Sequence, residues 1–433
     1  MASTYLNRTI GSSSTLSTKA TISFWVKKSL IDSSTNFYGI LSSNGGWNDG
    51  TGFAIGWRED LLVWYNLAEG SGLRTFTNRK FRDTSAFYHI VYKIDTTQAS
   101  MQDRVTLYVN GEDQGDLTSN GSITTAMPSQ NANLYYFLDN GDTCQISRGG
   151  NAGSTYFDGL MTHFHFIDGT AYPASTFGET DSLTGIWKPI TSPSVTYGTN
   201  GFFLNFSNSG SMGTDSSGEG NDFTVASGTL TQTQDTPANV FATLNALIPM
   251  RGTATYNNGN TYFSSSYGDW DSALSTIGVT QGKWYFETKW GNPEQLIIGC
   301  VDVEKDPEFL SAQGAVGFLG YQGGIGYLGE AGSPRVIGNT GNNLYTGLTS
   351  ISSGNIVGCA IDLDNREMFV HINGTYTNSG NPETRANPYD MSTSINSGGT
   401  VLMGVSSRSG YPIETNFGNG YFGTTAVASA GTN

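Results

Sequence analysis

Two stretches of this chain share one pattern of apolar and polar positions. Residues 89–111 read HIVYKIDTTQASMQDRVTLYVNG, and residues 355–374 read NIVGCAIDLDNREMFVHING. Each holds an apolar strand ending in Asp (Asp95, Asp362), a polar turn, a second alternating strand and an Asn-Gly pair (Asn110-Gly111, Asn373-Gly374). Asn-Gly favours the turn that reverses a right-twisted β-ribbon, because both residues tolerate positive φ. Alternation sets the faces: Val105, Leu107 and Val109 point one way, as do Met368, Val370 and Ile372, with Thr106, Tyr108, Phe369 and His371 opposite. Two versions of one sandwich element, about 260 residues apart, predict a two-module β protein.

The rest of the pattern agrees. In ATISFWVKK (20–28), Ile22, Phe24 and Val26 face one way and Thr21, Ser23, Trp25 and Lys27 the other. Strands are also predicted at 51–57, 61–66, 87–94, 104–109, 134–138, 157–167 and 201–207. Residues 168–190 break the alternation and suggest an irregular excursion, with a helix-start signal in ASTFGE. The polar segment 229–240, with Pro237, is the expected boundary, giving modules of 1–235 and 236–433. The second module has strand signals at 283–290, 295–302, 314–320, 325–328, 355–362, 367–372 and 400–405. No segment carries apolar positions at helical spacing over several turns.

Composition narrows the class. Gly is 57 of 433 residues against 12 Pro, which fits turn-rich β structure and not a proline linker. Charged residues are 13%, about half the usual share, and the net charge is −15. The charge is even: 13 basic and 21 acidic residues in 1–235, 8 and 15 in 236–433. Such a surface repels phosphate backbones, so a nucleic-acid partner is not expected; a neutral glycan or a protein lattice is. The three cysteines, Cys144, Cys300 and Cys359, lack zinc spacing and are too few for a disulfide scaffold. Cys300 and Cys359 are expected as buried thiols. No signal-peptide pattern and no bilayer-length apolar run is read, so the expectation is synthesis in a cytoplasm without membrane insertion.

Three pieces of the first module occur in order: TISFWVKKS (21–29), YHIVYKIDTTQASMQDRVTLYVNG (88–111) and YFDGLMTHFHFIDG (156–169). Together they resemble the laminin-G/concanavalin-like jelly rolls of marine tailed-phage virion proteins, over roughly residues 4–235. GIWKP and NGFFLNFSNSGSMGTDSSGEGNDFTV look like the segment that closes such modules. In the second module, GKWYFETKW (282–290), NIVGCAIDLDNREMFVHING and PIETNFG (412–418) look like the signature strands of SPRY domains, over about 240–433. The resemblances imply an all-β protein of two concanavalin-like jelly-roll sandwiches in tandem. They also imply that the SPRY-like pattern stops short of a usual closing segment. That leaves an expected open sheet edge near 412–422, covered by a second copy, another virion protein or the N-terminal residues 1–10.

Catalysis on a concanavalin-like fold of the laminarinase type needs two carboxylates on one strand face, about 5–5.5 Å apart in a retaining enzyme. Asp302 and Glu304 in CVDVEKD are the nearest approach, and a solvated strand end is the preferred reading. His163 and His165 in THFHF are placed on one half-exposed face, without a third metal ligand nearby in sequence. His89 reads as a packing residue, and no Ser/His/Asp arrangement is visible in sequence. Asp139, Asn140 and Asp142 offer oxygen ligands suited to calcium, though an ordinary hairpin turn is preferred. For glycan or partner contact the candidates are Trp47, with Asn48 and Asp49, in the glycine-rich loop 42–52, and in the second module Trp270, Tyr321 and Tyr327.

The expectation drawn from these readings is a structural virion protein of a tailed phage. It would be a head decoration, a fibre or a peripheral tail component, acting in adhesion and lattice attachment and without enzymatic activity. Its partners would be other virion proteins, further copies of itself and a host-surface glycan. The competing expectations are a glycan-cleaving laminarinase-type enzyme, which the missing carboxylate pair disfavours, and a secreted bacterial surface adhesin, which lacks its export signal here.

Overall fold

A computed structural model of the chain describes residues 3–11, 18–43, 52–66, 73–115, 117, 127–133, 140–150, 156–248, 252–292, 294–305, 319–320, 323–330, 332–339, 341–423 and 425–427. Among these the structure is β-strand and loop, with short 3-10 turns such as Ala174–Thr176. No helix in it is long and apolar enough to cross a membrane. The chain divides into two compact units. One holds Met1–Gln232 with Thr236–Val240, the other Thr233–Asp235 with Phe241–Asn433.

The first unit is a two-sheet sandwich. One sheet runs Thr224–Ser227, Tyr5–Thr9, Thr143–Ile146, Tyr38–Ser43, Phe53–Arg58, Leu61–Asn66, Leu73–Lys80; the other runs Phe202–Leu204, Gly159–Asp168, Lys19–Lys28, Tyr88–Asp95, Val105–Val109, Glu112–Asp113. Alternation does what period-2 patterning requires: Ile22, Phe24, Val26, Ile90, Leu107 and Val109 enter one core with Leu41, Ile55, Trp64 and Ile146 of the facing sheet. Trp64 meets Tyr92 edge-on, ring centres 5.2 Å apart.

The second unit repeats the plan. Its sheets run Ala254–Asn257, Tyr262–Ser265, Ile413–Asn416, Lys283–Trp290, Ile356–Asp362, Glu367–Ile372, Thr375–Tyr376, and Trp270–Val279, Val401–Arg408, Leu296–Asp302, Gly324–Gly329, Arg335–Gly338, Asn342–Tyr345. Phe286, Trp290, Ile298, Val357, Val370 and Val405 fill the core. All three cysteines are buried and free, Cys300 and Cys359 within this core. Burial pushes the Cys144 and Cys300 thiols up to about 12.

The repeated sequence element is a repeated structure. Asn110 and Asn373 take φ 52° and 49°, and Gly111 and Gly374 take 84° and 83°. The Asn110 carboxamide oxygen accepts the His89 N–H at 2.8 Å, and Asn373 does the same for Ile356 at 2.8 Å. Each preceding strand ends at an Asp opposite a Lys on the neighbouring strand, Lys19 with Asp95 and Lys283 with Asp362.

One expectation fails here. The segment near 412–422 is not an open edge: Ile413–Asn416 pairs on one side with Tyr262–Ser265 and on the other with Lys283–Trp290. Tyr421–Phe422 then forms a small ribbon with Thr425–Ala426. Tyr262–Ser265, a strand the pattern does not predict, supplies the missing neighbour early in the second unit. Beyond what the alternation assigns, the second face of Lys19–Lys28 is covered as well. Thr21, Ser23, Trp25 and Lys27 are buried, because residues following 168 return across that face.

Candidate functional site

In the first sandwich the returning segment includes the Ala174–Thr176 turn and a ribbon of Gly178–Thr180 paired with Trp187–Pro189. It forms a satellite core of Val91, Ile167, Ala174, Phe177, Tyr197 and Phe203 on the sheet's outer face. Beneath it lies a Ser–His pair that sequence spacing did not reveal. His89 Nε2 is 2.9 Å from Ser23 Oγ, and Trp187 Nε1 donates to His89 Nδ1 at 2.9 Å. An indole N–H can only donate, so Nδ1 holds the lone pair and Nε2 carries the proton. His89 therefore donates to Ser23, the reverse of what a general base must do. Trp25 stacks on the ring at 4.4 Å, and burial depresses its pKa to about 3. The pair is a neutral, locked core element.

His163 lies within a bulge of Gly159–Asp168, at φ 47°, and His165 follows where pairing resumes. Both lean on Phe203, and His165 Nδ1 lies 2.9 Å from the Tyr197 hydroxyl. His165 is buried, which corrects the half-exposed face expected for it. No group of three or more His, Cys, Asp or Glu able to hold a metal occurs among the described residues. Of the calcium candidates, Asp139 lies outside the described residues. Asp142 is half-buried, and its carbonyl accepts the Ile10 N–H at 2.8 Å. Trp47, Asn48, Asp49 and Tyr321 also lie outside the described residues.

A cavity of about 10 Å³ sits among Lys28, Asp32, Tyr38, Trp57, Asp60 and Asp158. That is room for one water. Asp60 is buried at a left-handed turn (φ 61°) and accepts from Lys28 Nζ at 3.3 Å, Arg82 Nε at 3.1 Å and Asp32 N at 3.1 Å. Lys28 also donates to the Phe81 carbonyl at 2.9 Å and lies over Trp57. The charges serve each other, and the cavity is too small for a sugar.

In the second sandwich Asp302 is fully buried (0%), not a solvated strand end. Its carboxylate accepts the Glu304 N–H at 3.0 Å and the Asn396 N–H at 2.9 Å, while Glu304 accepts from Thr400 Oγ1 at 2.7 Å. A Cβ at Gly399 would come within 2.4 Å of Asp302 Oδ2, so glycine is required there. Both carboxylates tie loops to the strand end. Tyr327 is also core (0% exposed): its hydroxyl donates to the Thr349 carbonyl at 2.7 Å, which removes it as a contact candidate. It lies on a strand buried on both faces, which its glycine-rich flanks disguised. Trp270 is partly buried against Ile297, Leu319, Leu328 and Ile337.

The outer face of Lys283–Trp290 is different. Phe286, Thr288 and Trp290 turn inward, leaving Tyr285 and Glu287 outward, with Tyr285 44% exposed. The Gly374 N–H donates to His371 Nδ1 at 3.1 Å, so the His371 Nε2 proton points at the Tyr285 hydroxyl, 2.7 Å away. Tyr285 donates in turn to Glu287 Oε2 at 2.9 Å, and Asn416 Nδ2 donates to Glu287 Oε1 at 2.9 Å. Burial raises the Tyr285 pKa, with the Glu287 charge adding to it, and burial lowers that of His371. Both stay neutral near pH 7. Alternation in GKWYFETKW already marks Tyr285 and Glu287 as outward, a signal that the sequence-based candidates do not include.

A laminin-G-type family model, described as "Concanavalin A-like lectin/glucanases superfamily", matches residues 3–175. Among solved structures, the SPRY domain of human HERC1 is 14% identical with a TM-score of 0.28, covering 41% of this chain and 94% of its own. The TRIM65 PSpry domain is 13% identical with a TM-score of 0.30, covering 40% and 89%. No curated protein matches the chain. The protein is all-β, a concanavalin-like sandwich followed by a second jelly-roll sandwich.

Proposed function

We propose that this chain is a non-enzymatic structural protein of a tailed-phage virion, an appendage that attaches to other virion proteins and contacts a host-surface glycan. The phage assignment rests on the ordered sequence pieces of the first module and their resemblance to virion jelly rolls. The observation that carries the non-enzymatic part is the use made of the Asp302 and Glu304 carboxylates. Both are engaged by backbone N–H groups or a hydroxyl that hold loops. Glycosidic cleavage needs one free acid and one free base or nucleophile across a cleft. The Ser23–His89 pair is of the wrong tautomer and covered. A surface of net charge −15 favours neutral or protein partners over nucleic acid. Assembly with capsid or tail proteins would use surfaces other than Ile413–Asn416, which is paired on both sides.

The test is electron microscopy of intact purified particles labelled with gold-conjugated antibody against the whole chain. Label at a regular position on the head or tail is expected. Particles that remain unlabelled while free protein is labelled would overturn the virion assignment.

A further inference from the structure

We infer that the outward face of Lys283–Trp290 is a subsite for a neutral pyranose sugar, centred on Tyr285 and Glu287; this deepens the adhesion reading above and rests on it. Three observations converge. The first is a fixed, exposed ring. The Tyr285 hydroxyl accepts from His371 and donates to Glu287, so its polar end is fully used, yet 44% of the residue remains exposed in mid-sheet. What is left to bind is a flat apolar ring face, already held in one orientation, so that little ordering entropy remains to be lost on binding.

The second is the space made for that ring. Gly358 lies opposite Glu287 on the adjacent strand. A Cβ there would come within 2.1 Å of His371 Nε2 and 2.6 Å of Tyr285 Oη. Glycine lets the His371 and Tyr285 rings lie close over the sheet, 17° from parallel.

The third is the acceptor beside it. A carboxylate has about four lone-pair sites. Tyr285 and Asn416 occupy two on Glu287, one on each oxygen, and the residue is only partly buried. A pyranose presents a C–H patch that stacks on an aromatic ring and a rim of hydroxyls that donate to a carboxylate. Glu287 repels a carboxylate or sulfate placed over the Tyr285 ring, and the net charge of −15 adds to this, while Lys283 and Lys289 flank the pair on the same outward face.

The experiment is affinity electrophoresis of the full chain through gels containing laminarin, mannan or galactan, with alginate as the anionic control. Retardation by at least one neutral polysaccharide is expected, and none by alginate. Tyr285→Ala should weaken it about tenfold, the equivalent of ~1.4 kcal/mol, in protein whose second sandwich still shows a melting transition. Glu287→Gln should weaken it several-fold, giving a second readout should the alanine variant fold poorly, and Tyr285→Phe should retain more binding than Tyr285→Ala. Neutral-glycan retardation unchanged in both Tyr285→Ala and Glu287→Gln sinks the subsite but leaves adhesion standing with its sugar elsewhere. No retardation by any neutral glycan, or retardation by alginate alone, overturns the subsite. Failure of the virion assignment is read separately, from the particle label.

Discussion

At the residue scale, buried histidines make the first sandwich sensitive to acid. His89 in the folded protein is neutral, its pKa depressed to about 3, against about 6.5 when unfolded. His165 is shifted the same way by burial. Above pH 6.5 both states are neutral and the folded state is fully favoured. As pH falls from 6.5 towards 3, the unfolded chain gains protons that the folded chain cannot, and stability drops by about 1.4 kcal/mol per pH unit for each such histidine. The melting temperature of the first sandwich is therefore expected to fall steadily between pH 6.5 and 4.5; a flat profile would contradict the locked His89. Asp302 carries a second prediction. Asp302→Asn keeps one acceptor oxygen for two loop N–H groups and removes the charge, so it should cost about 1–3 kcal/mol in denaturant unfolding. If stability is unaffected, the carboxylate is not holding the loops. The packing role of His89 was legible from FYHIVY. Its partners Ser23 and Trp187, 66 and 98 residues away, were not, because nothing local in a sequence encodes which strand face a distant loop will cover.

At the scale of elements, the Asn-Gly turns, the alternation and the duplicated strand pair were all readable, since each is a local property of period 2 or of positive φ. Strand neighbours were less so. PIETNF read as a terminal strand, yet its register is set by Glu287↔Asn416 on one side and Tyr262↔Glu414 on the other, partners about 130–150 residues earlier. Ile413 is fully buried between them. Truncating the chain after Tyr411 should accordingly remove an inner strand and leave the second sandwich without a cooperative unfolding transition, while the first still melts. A second sandwich that folds normally after that truncation would restore the edge-strand reading.

At the scale of the molecule, two sandwiches each with its own core should be separable. The connection crosses between units around residues 232–241, where Gln234 N–H bonds to the Asn419 carbonyl at 3.0 Å and Thr236 and Asn239 bridge each other. Limited proteolysis there is expected to give two pieces that each keep a melting transition; loss of structure in both on cutting would argue for one shared core. In the proposed function these sandwiches bind glycan without cutting it. A reducing-end assay on laminarin incubated with the full chain at pH 7 for a day is then expected to show no reducing ends above the protein-free control. New reducing ends that disappear in Asp302→Asn or Glu287→Gln protein that still folds would contradict it.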